Sequence, residues 1–127
     1  MNYHIEISKG NRFFYIHAIS DETNERIGKL SIDLRSEDAN RYQFNNKNAV
    51  KIILVMTNPS YCRKGVASAL LNKAVELFKN DIIYLNVVPL PRNSRDKDKT
   101  ALINFYSKFG FKRYDKDICV TTMIRTK

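Results

Sequence analysis

The chain has 127 residues, with 22 basic and 13 acidic side chains, a formal charge of +9 and 43% hydrophobic residues. That is enough apolar material for one domain with its own core, residues 1–127, and it excludes a disordered or disulfide-stapled chain, because Cys62 and Cys119 make neither a framework nor a metal-ligand spacing. The basic excess favours anionic partners, such as nucleic acid, phosphorylated cofactors or acidic proteins, without choosing among them.

YHIEI at residues 3–7 alternates as a strand, KGN at 9–11 is a turn, and residues 12–19 make a second strand, so the chain opens on a hairpin. No apolar run has the length of a signal peptide or a membrane span, so a cytoplasmic, reduced environment is the expectation. A polar loop at 20–25 leads to a third strand at 27–34, with Ile and Leu on one face. Residues 36–48 are polar and asparagine-rich, and read as a loop with a strand-like piece at 41–44.

Residues 49–80 are the centre of the chain. An apolar, β-branched run at 50–55 reads as a buried strand, which Asn58, Pro59 and Ser60 bring to a turn. After Gly65 the period changes. Val66, Leu70, Ala74 and Phe78, with Ala67, Leu71 and Val75 beside them, predict a helix packed on a sheet. Strand, basic loop and helix in this order place unpaired N–H groups and the positive end of a helix dipole at one spot, with Arg63 and Lys64 beside it.

DIIYLNVV at 81–88 is another buried strand, so strand, helix and strand imply parallel neighbours. PLPRNSRDKDK at 89–99 reads as an exposed loop. Asp98 or Thr100 then caps a helix whose apolar face is Ala101, Leu102, Phe105, Tyr106 and Phe109, and Gly110 closes it. Residues 111–114 and 118–124 predict two closing strands around a turn at 115–117. The fold class is α/β: a mixed sheet (α+β in its strand directions) with helices on its faces.

With glycines only at 10, 28, 65 and 110, neither a P-loop nor a Gly-x-Gly-x-x-Gly fingerprint can form. There is no metal-ligand cluster and no Gly-x-Ser-x-Gly elbow. The stretch VMTNPSYCRKGVASALL, followed by LNVVP and then NFYSKFGF, does resemble a family. Cys62-Arg63-Lys64-Gly65-Val66-Ala67 is similar to the Arg/Gln-x-x-Gly-x-Gly/Ala loop of the GNAT superfamily of acetyl-CoA-dependent N-acetyltransferases. Tyr106 to Phe111, YSKFGF, is similar to the family's Tyr-x-x-x-Gly-Phe element. The resemblance covers roughly residues 49–114.

The resemblance implies a GNAT-like acyl-CoA N-acyltransferase fold and acetyl-CoA as cosubstrate, with no metal. It places the diphosphate on the backbone of Arg63, Lys64, Gly65, Val66, Ala67 and Ser68. The pantetheine arm would pair with Val55, Met56 and Thr57, and the 3′-phosphate would meet Arg63, Lys64 or Lys73. An amine would attack the thioester directly, and Tyr106 would be the acid that protonates the departing thiolate, a phenol with pKa of about 10 serving a thiol near about 8.5.

The chain departs from the family's pattern in four places. Cys62 stands where Arg or Gln is usual, the N-terminal helical pair is reduced to strands and turns, Asn86 occupies the place of a glutamate base, and the 89–99 loop is long. The acceptor groove is therefore expected to be open, and the base is unassigned. The acceptor expected is a protein lysine or N-terminus, or a small amine, with the basic surface leaning toward an acidic or protein acceptor and the molecule a monomer or homodimer.

Taken singly, Tyr106 reads as a core aromatic, Cys62 as an inert loop thiol, and His4 and His17 as structural histidines; only the register with Gly110 and Phe111 gives Tyr106 its second reading. Arg12-Phe13-Phe14-Tyr15 alternates as a core strand does and fails the RNA-recognition octapeptide. A rival reading is a non-catalytic module on the same fold that binds nucleic acid or a protein partner.

Overall fold

The alternating first third of the chain folds into three antiparallel strands, β1 (Tyr3–Lys9), β2 (Phe13–Ser20) and β3 (Arg26–Asp33). The computed structural model describes residues 2–35, 49–58, 65–87, 96–114 and 121–126. Tyr3 to Asp33 holds strands and turns with no helix, as the reduced N-terminal region predicts. Next come β4 (Ala49–Thr57), α1 (Val66–Leu77), β5 (Ile82–Val87), α2 (Asp96–Ser107), β6 (Lys112–Arg113) and β7 (Thr121–Arg125). One sheet takes all seven strands in the order β1-β2-β3-β4-β5-β7-β6. Among the described strands only β4 and β5 pair in parallel, and α1 lies between them in the chain. No described helix is long and apolar enough to cross a membrane.

Two expectations change. The DKDK tract at 96–99 belongs to α2, so Asp98 and Thr100 lie inside that helix, while residues 88–95 lie outside the described residues. The first closing strand is also shorter, β6 having two residues; β7 is described over Thr121–Arg125, and residues 118–120 lie outside the described residues. The strand-like piece at 41–44, the turn at 59–60, Val88 and the turn at 115–117 lie outside the described residues.

α1 packs over β2, β3 and β4 with Val66, Leu70, Leu71 and Ala74 buried. Burying Leu70 and Leu71 completely is worth about 1.5–3 kcal/mol each. Phe78 closes the lower end, its ring edge-on to Phe14 at 5.2 Å. At the upper end the fit depends on Gly28, because a Cβ there would lie 2.7 Å from Val66 Cγ1 and 3.1 Å from Leu70 Cδ1. Phe14, Ile16 and Ala18 share this face with their partners Ile32, Leu30 and Gly28. Phe13, Tyr15 and His17, at the alternate positions, therefore lie on the opposite face.

Both histidines are held structurally. His4 donates to Asp21 (2.6 Å) and to Glu6 (2.8 Å), and these carboxylates raise its pKa, Asp21 foremost. His17 is buried and stacked beside Tyr15; burial, then Arg26 and Lys29, lowers its pKa and keeps it neutral. On the same face Arg12 grips Asp33 through Nε and Nη2 at 3.1 and 3.0 Å. Burial opposes the charge on Asp33, yet the bonds from Arg12 and from the Arg35 N–H hold its pKa below normal.

Candidate functional site

β4 keeps two partners for less than half its length. It pairs with β5 only from Ala49↔Ile82 to Ile52↔Leu85, whereas it stays on β3 out to Thr57↔Gly28. The separation begins at a bulge: Ile52 faces Ile32 and Leu54 faces Ser31, so Ile53 is an extra residue. A bulge bends its strand and reverses which side chains face inward. Val50 and Ile52 are buried before it, while after it Val55 and Thr57 are the half-buried residues and Leu54 and Met56 are exposed. Past Ile52, therefore, the edge of β4 toward β5 has no strand partner among the described residues. Met56 is 56% exposed there, Ile53 45% and Leu54 37%. Such an edge can receive an extended chain as an added strand does.

The upper end of β4 is fixed by a hydrogen bond from the Asn58 N–H to the Ile27 carbonyl at 2.9 Å. Seven residues later α1 starts at Gly65, which has φ +77°. Nothing lies within 4 Å of where a Cβ would be, so the backbone angle, and not crowding, makes glycine suitable here. The Gly65 carbonyl accepts the Ala69 N–H at 3.0 Å, and no side chain caps the helix. The first turn contains no acid. Val66 is buried and anchors the turn to the sheet; Ala67 and Ser68 are half-exposed. The amides of Val66, Ala67 and Ser68 thus make an electropositive helix entrance beside the freed end of β4. Cys62, Arg63 and Lys64 lie outside the described residues.

Tyr106 sits on the sheet-facing side of α2, its ring edge-on to Phe105 (5.4 Å) and Phe111 (6.0 Å). Its carbonyl takes the N–H groups of Phe109 and Phe111, the turn that Gly110, at φ +92°, makes possible. Arg125 of β7 donates from Nε to the Phe109 carbonyl at 3.1 Å, placing a cation at the negative end of α2. Tyr106 is partly buried, and desolvation pushes its phenol pKa up, so it holds its proton at neutral pH. Asn86, at the expected place of a base, accepts from Thr122 Oγ1 at 3.0 Å. Among the described residues no cluster of His, Cys, Asp or Glu could hold a metal.

The predicted residues Val55, Met56 and Thr57 therefore fall on the freed edge, and Gly65, Val66, Ala67 and Ser68 on the helix entrance. The bulge at Ile53 and the contact between Gly28 and Val66 escape a reading of the sequence. A glycine inside a strand was the one available signal, since it marks close approach of another element.

The parting of the parallel pair β4 and β5 thus leaves, among the described residues, a bare strand edge and an electropositive helix entrance near one another. Residues 10–113 match the family model of the acetyltransferase (GNAT) domain, and the chain belongs to that family. No curated protein matches it. Solved structures resemble it at low identity. The PaiA N-acetyltransferase of Thermoplasma acidophilum, in complex with coenzyme A, is 21% identical with a TM-score of 0.64, over 91% of this chain and 62% of that one. The Bacillus subtilis N-acetyltransferase YlbP, also with coenzyme A, is 18% identical with a TM-score of 0.63, over 89% and 67%. Arabidopsis thaliana Naa50, with the bisubstrate analogue CoA-Ac-MVNAL, is 19% identical with a TM-score of 0.62, over 89% and 72%. The chain thus spans under two thirds of the length of the PaiA enzyme.

Proposed function

We propose that this chain transfers the acetyl group of acetyl-CoA to an amine on a protein or small molecule, by direct attack without an acyl-enzyme. The observation that carries this is the separation of β4 from β5 at Ile53 beside the uncapped start of α1. Coenzyme A complexes of PaiA and YlbP, which have the same fold, support it.

The residues fit the cosubstrate. The amides of Gly65, Val66, Ala67 and Ser68 hold its diphosphate at the helix entrance, and Arg63 and Lys64 supply positive charge there. The edge at Val55, Met56 and Thr57 takes the pantetheine arm. Bound acetyl-CoA supplies a thioester open to attack by an amine. Tyr106, kept protonated by its surroundings, gives its proton to the departing thiolate. Asn86 cannot serve as base, so the amine reaches the site already deprotonated or loses its proton to water.

Melting with and without acetyl-CoA tests the reading. A ligand at 100 times its dissociation constant should raise stability by about 2.7 kcal/mol. No rise at about 1 mM cosubstrate overturns the proposal. Tyr106→Phe, which keeps the ring packing, should slow transfer by roughly 10²–10⁴-fold while leaving the affinity for coenzyme A nearly intact. An unchanged rate removes Tyr106 from the mechanism.

A further inference from the structure

The face of the sheet opposite α1 carries a pattern that acetyl transfer alone does not use. Two rows cross it beside the freed end of β4. His17 of β2, Lys29 of β3 and Met56 of β4 are cross-strand partners in one row; Tyr15, Ser31 and Leu54 form the next. Lys29 Nζ lies 4.9 Å from the centre of the Tyr15 ring. Acids on this side are already engaged: Asp33 is held by Arg12, and Glu6 and Asp21 by His4. Among the described residues Lys29 has no carboxylate partner, only the ring. An uncompensated cation thus stands next to exposed apolar surface at Leu54 and Met56, on the strand whose edge opens the active site.

We propose that the acceptor is an acidic protein segment that lies across Lys29, Tyr15, Leu54 and Met56, with Lys29 reading a carboxylate close to the amine that is acetylated. The inference rests on the transferase reading of the same site. Charge complementarity requires an anion, since adding a cationic acceptor here would oppose Lys29 and the formal charge of +9. The extent favours a polypeptide: β2 to β4 is about 10 Å across, and an extended segment can place an apolar side chain on Met56 and an acid on Lys29 together. Nucleic acid fits less well. Phe13 stacks on Tyr15 (6.4 Å), and Tyr15 stacks on His17 (6.2 Å). Arg12 and Lys29 cover the faces of Phe13 and Tyr15, leaving little ring surface for a base.

The test uses two labelled peptides with free α-amines, identical except that one has Asp and Glu after the first residue and the other Asn and Gln. Binding is read by fluorescence polarisation in the presence of coenzyme A, and acetylation by mass. The acidic peptide should bind and react roughly tenfold better, with the difference shrinking between about 50 and 300 mM salt. Lys29→Gln should remove the preference and Lys29→Glu invert it, while Lys29→Arg retains it. Equal behaviour of the two peptides, or a preference that survives Lys29→Gln, overturns the proposal. So does acetylation of a small polyamine, or cofactor-independent retention of single-stranded DNA, when neither peptide binds. Melting of each variant with acetyl-CoA separates the two levels: a retained rise with no acidic preference sinks this inference alone, whereas no rise in the unmodified protein sinks the transferase reading beneath it.

Discussion

Gly28→Ala should destabilise the protein by about 1–3 kcal/mol, the range for overpacking a filled core. The added carbon would lie 2.7 Å from Val66 Cγ1, 3.1 Å from Leu70 Cδ1 and 3.3 Å from the Met56 carbonyl oxygen. None of the three can yield easily. Val66 is β-branched and stiff at χ1 in a helix, Leu70 is completely buried, and the Met56 oxygen belongs to a paired backbone. The first turn of α1 must therefore lift from the sheet. At roughly 3–6 °C for each kcal/mol in a domain of this size, the melting temperature should fall by several degrees or more.

The same displacement separates the helix entrance from the end of β4, so affinity for acetyl-CoA should fall along with stability. Val66→Ala removes the atom that clashes. The double variant should then lose less than the sum of the two single changes, a coupling that denaturant melts of the four proteins would measure. Strict additivity would mean that Gly28 does not set the seat of α1.

The contrast between Gly28 and its surroundings also marks what could be read from the residues alone. Val66, Leu70 and Ala74 declare α1 through their spacing, and Gly110 its successor's end, because a helix buries one side and its period survives in the sequence. The parallel pairing of β4 with β5 follows from the helix between them. The bulge at Ile53 leaves no such trace: residues 52–56 are all apolar, and an unbroken apolar run carries no phase, so a switch of the inward face cannot be seen in it. Yet that switch frees the edge of β4. In the same way the charged tract at 96–99 lacks periodicity, and its helical backbone was hidden. The partners of Arg125 and Lys29 were equally out of reach, because cross-strand neighbours far apart in sequence depend on register. The assignments of Val55, Met56, Thr57, Gly65, Val66, Ala67, Ser68 and Tyr106 to a site come from the motif and are proposals, since neither register nor packing names a ligand.

Gly65→Glu should abolish the stabilisation by acetyl-CoA while changing the unliganded protein only modestly. Two opposing effects set the second half of that expectation. A side chain at φ +77° costs about 1–2 kcal/mol of backbone strain, but no atom lies within 4 Å to clash with its Cβ. A carboxylate at the start of a helix returns about 0.3–1 kcal/mol through the dipole. The fold therefore survives near its original melting temperature. Binding does not, because the carboxylate occupies the electropositive entrance assigned to the diphosphate and repels it. Gly65→Ala isolates the cause: it carries the same strain without the charge, and should keep most of the ligand-induced rise. If Gly65→Glu still melts higher with acetyl-CoA, the diphosphate rests somewhere other than on the first turn of α1. If Gly65→Ala loses the rise as fully as Gly65→Glu, the left-handed geometry of this residue, and not electrostatics, controls the entrance.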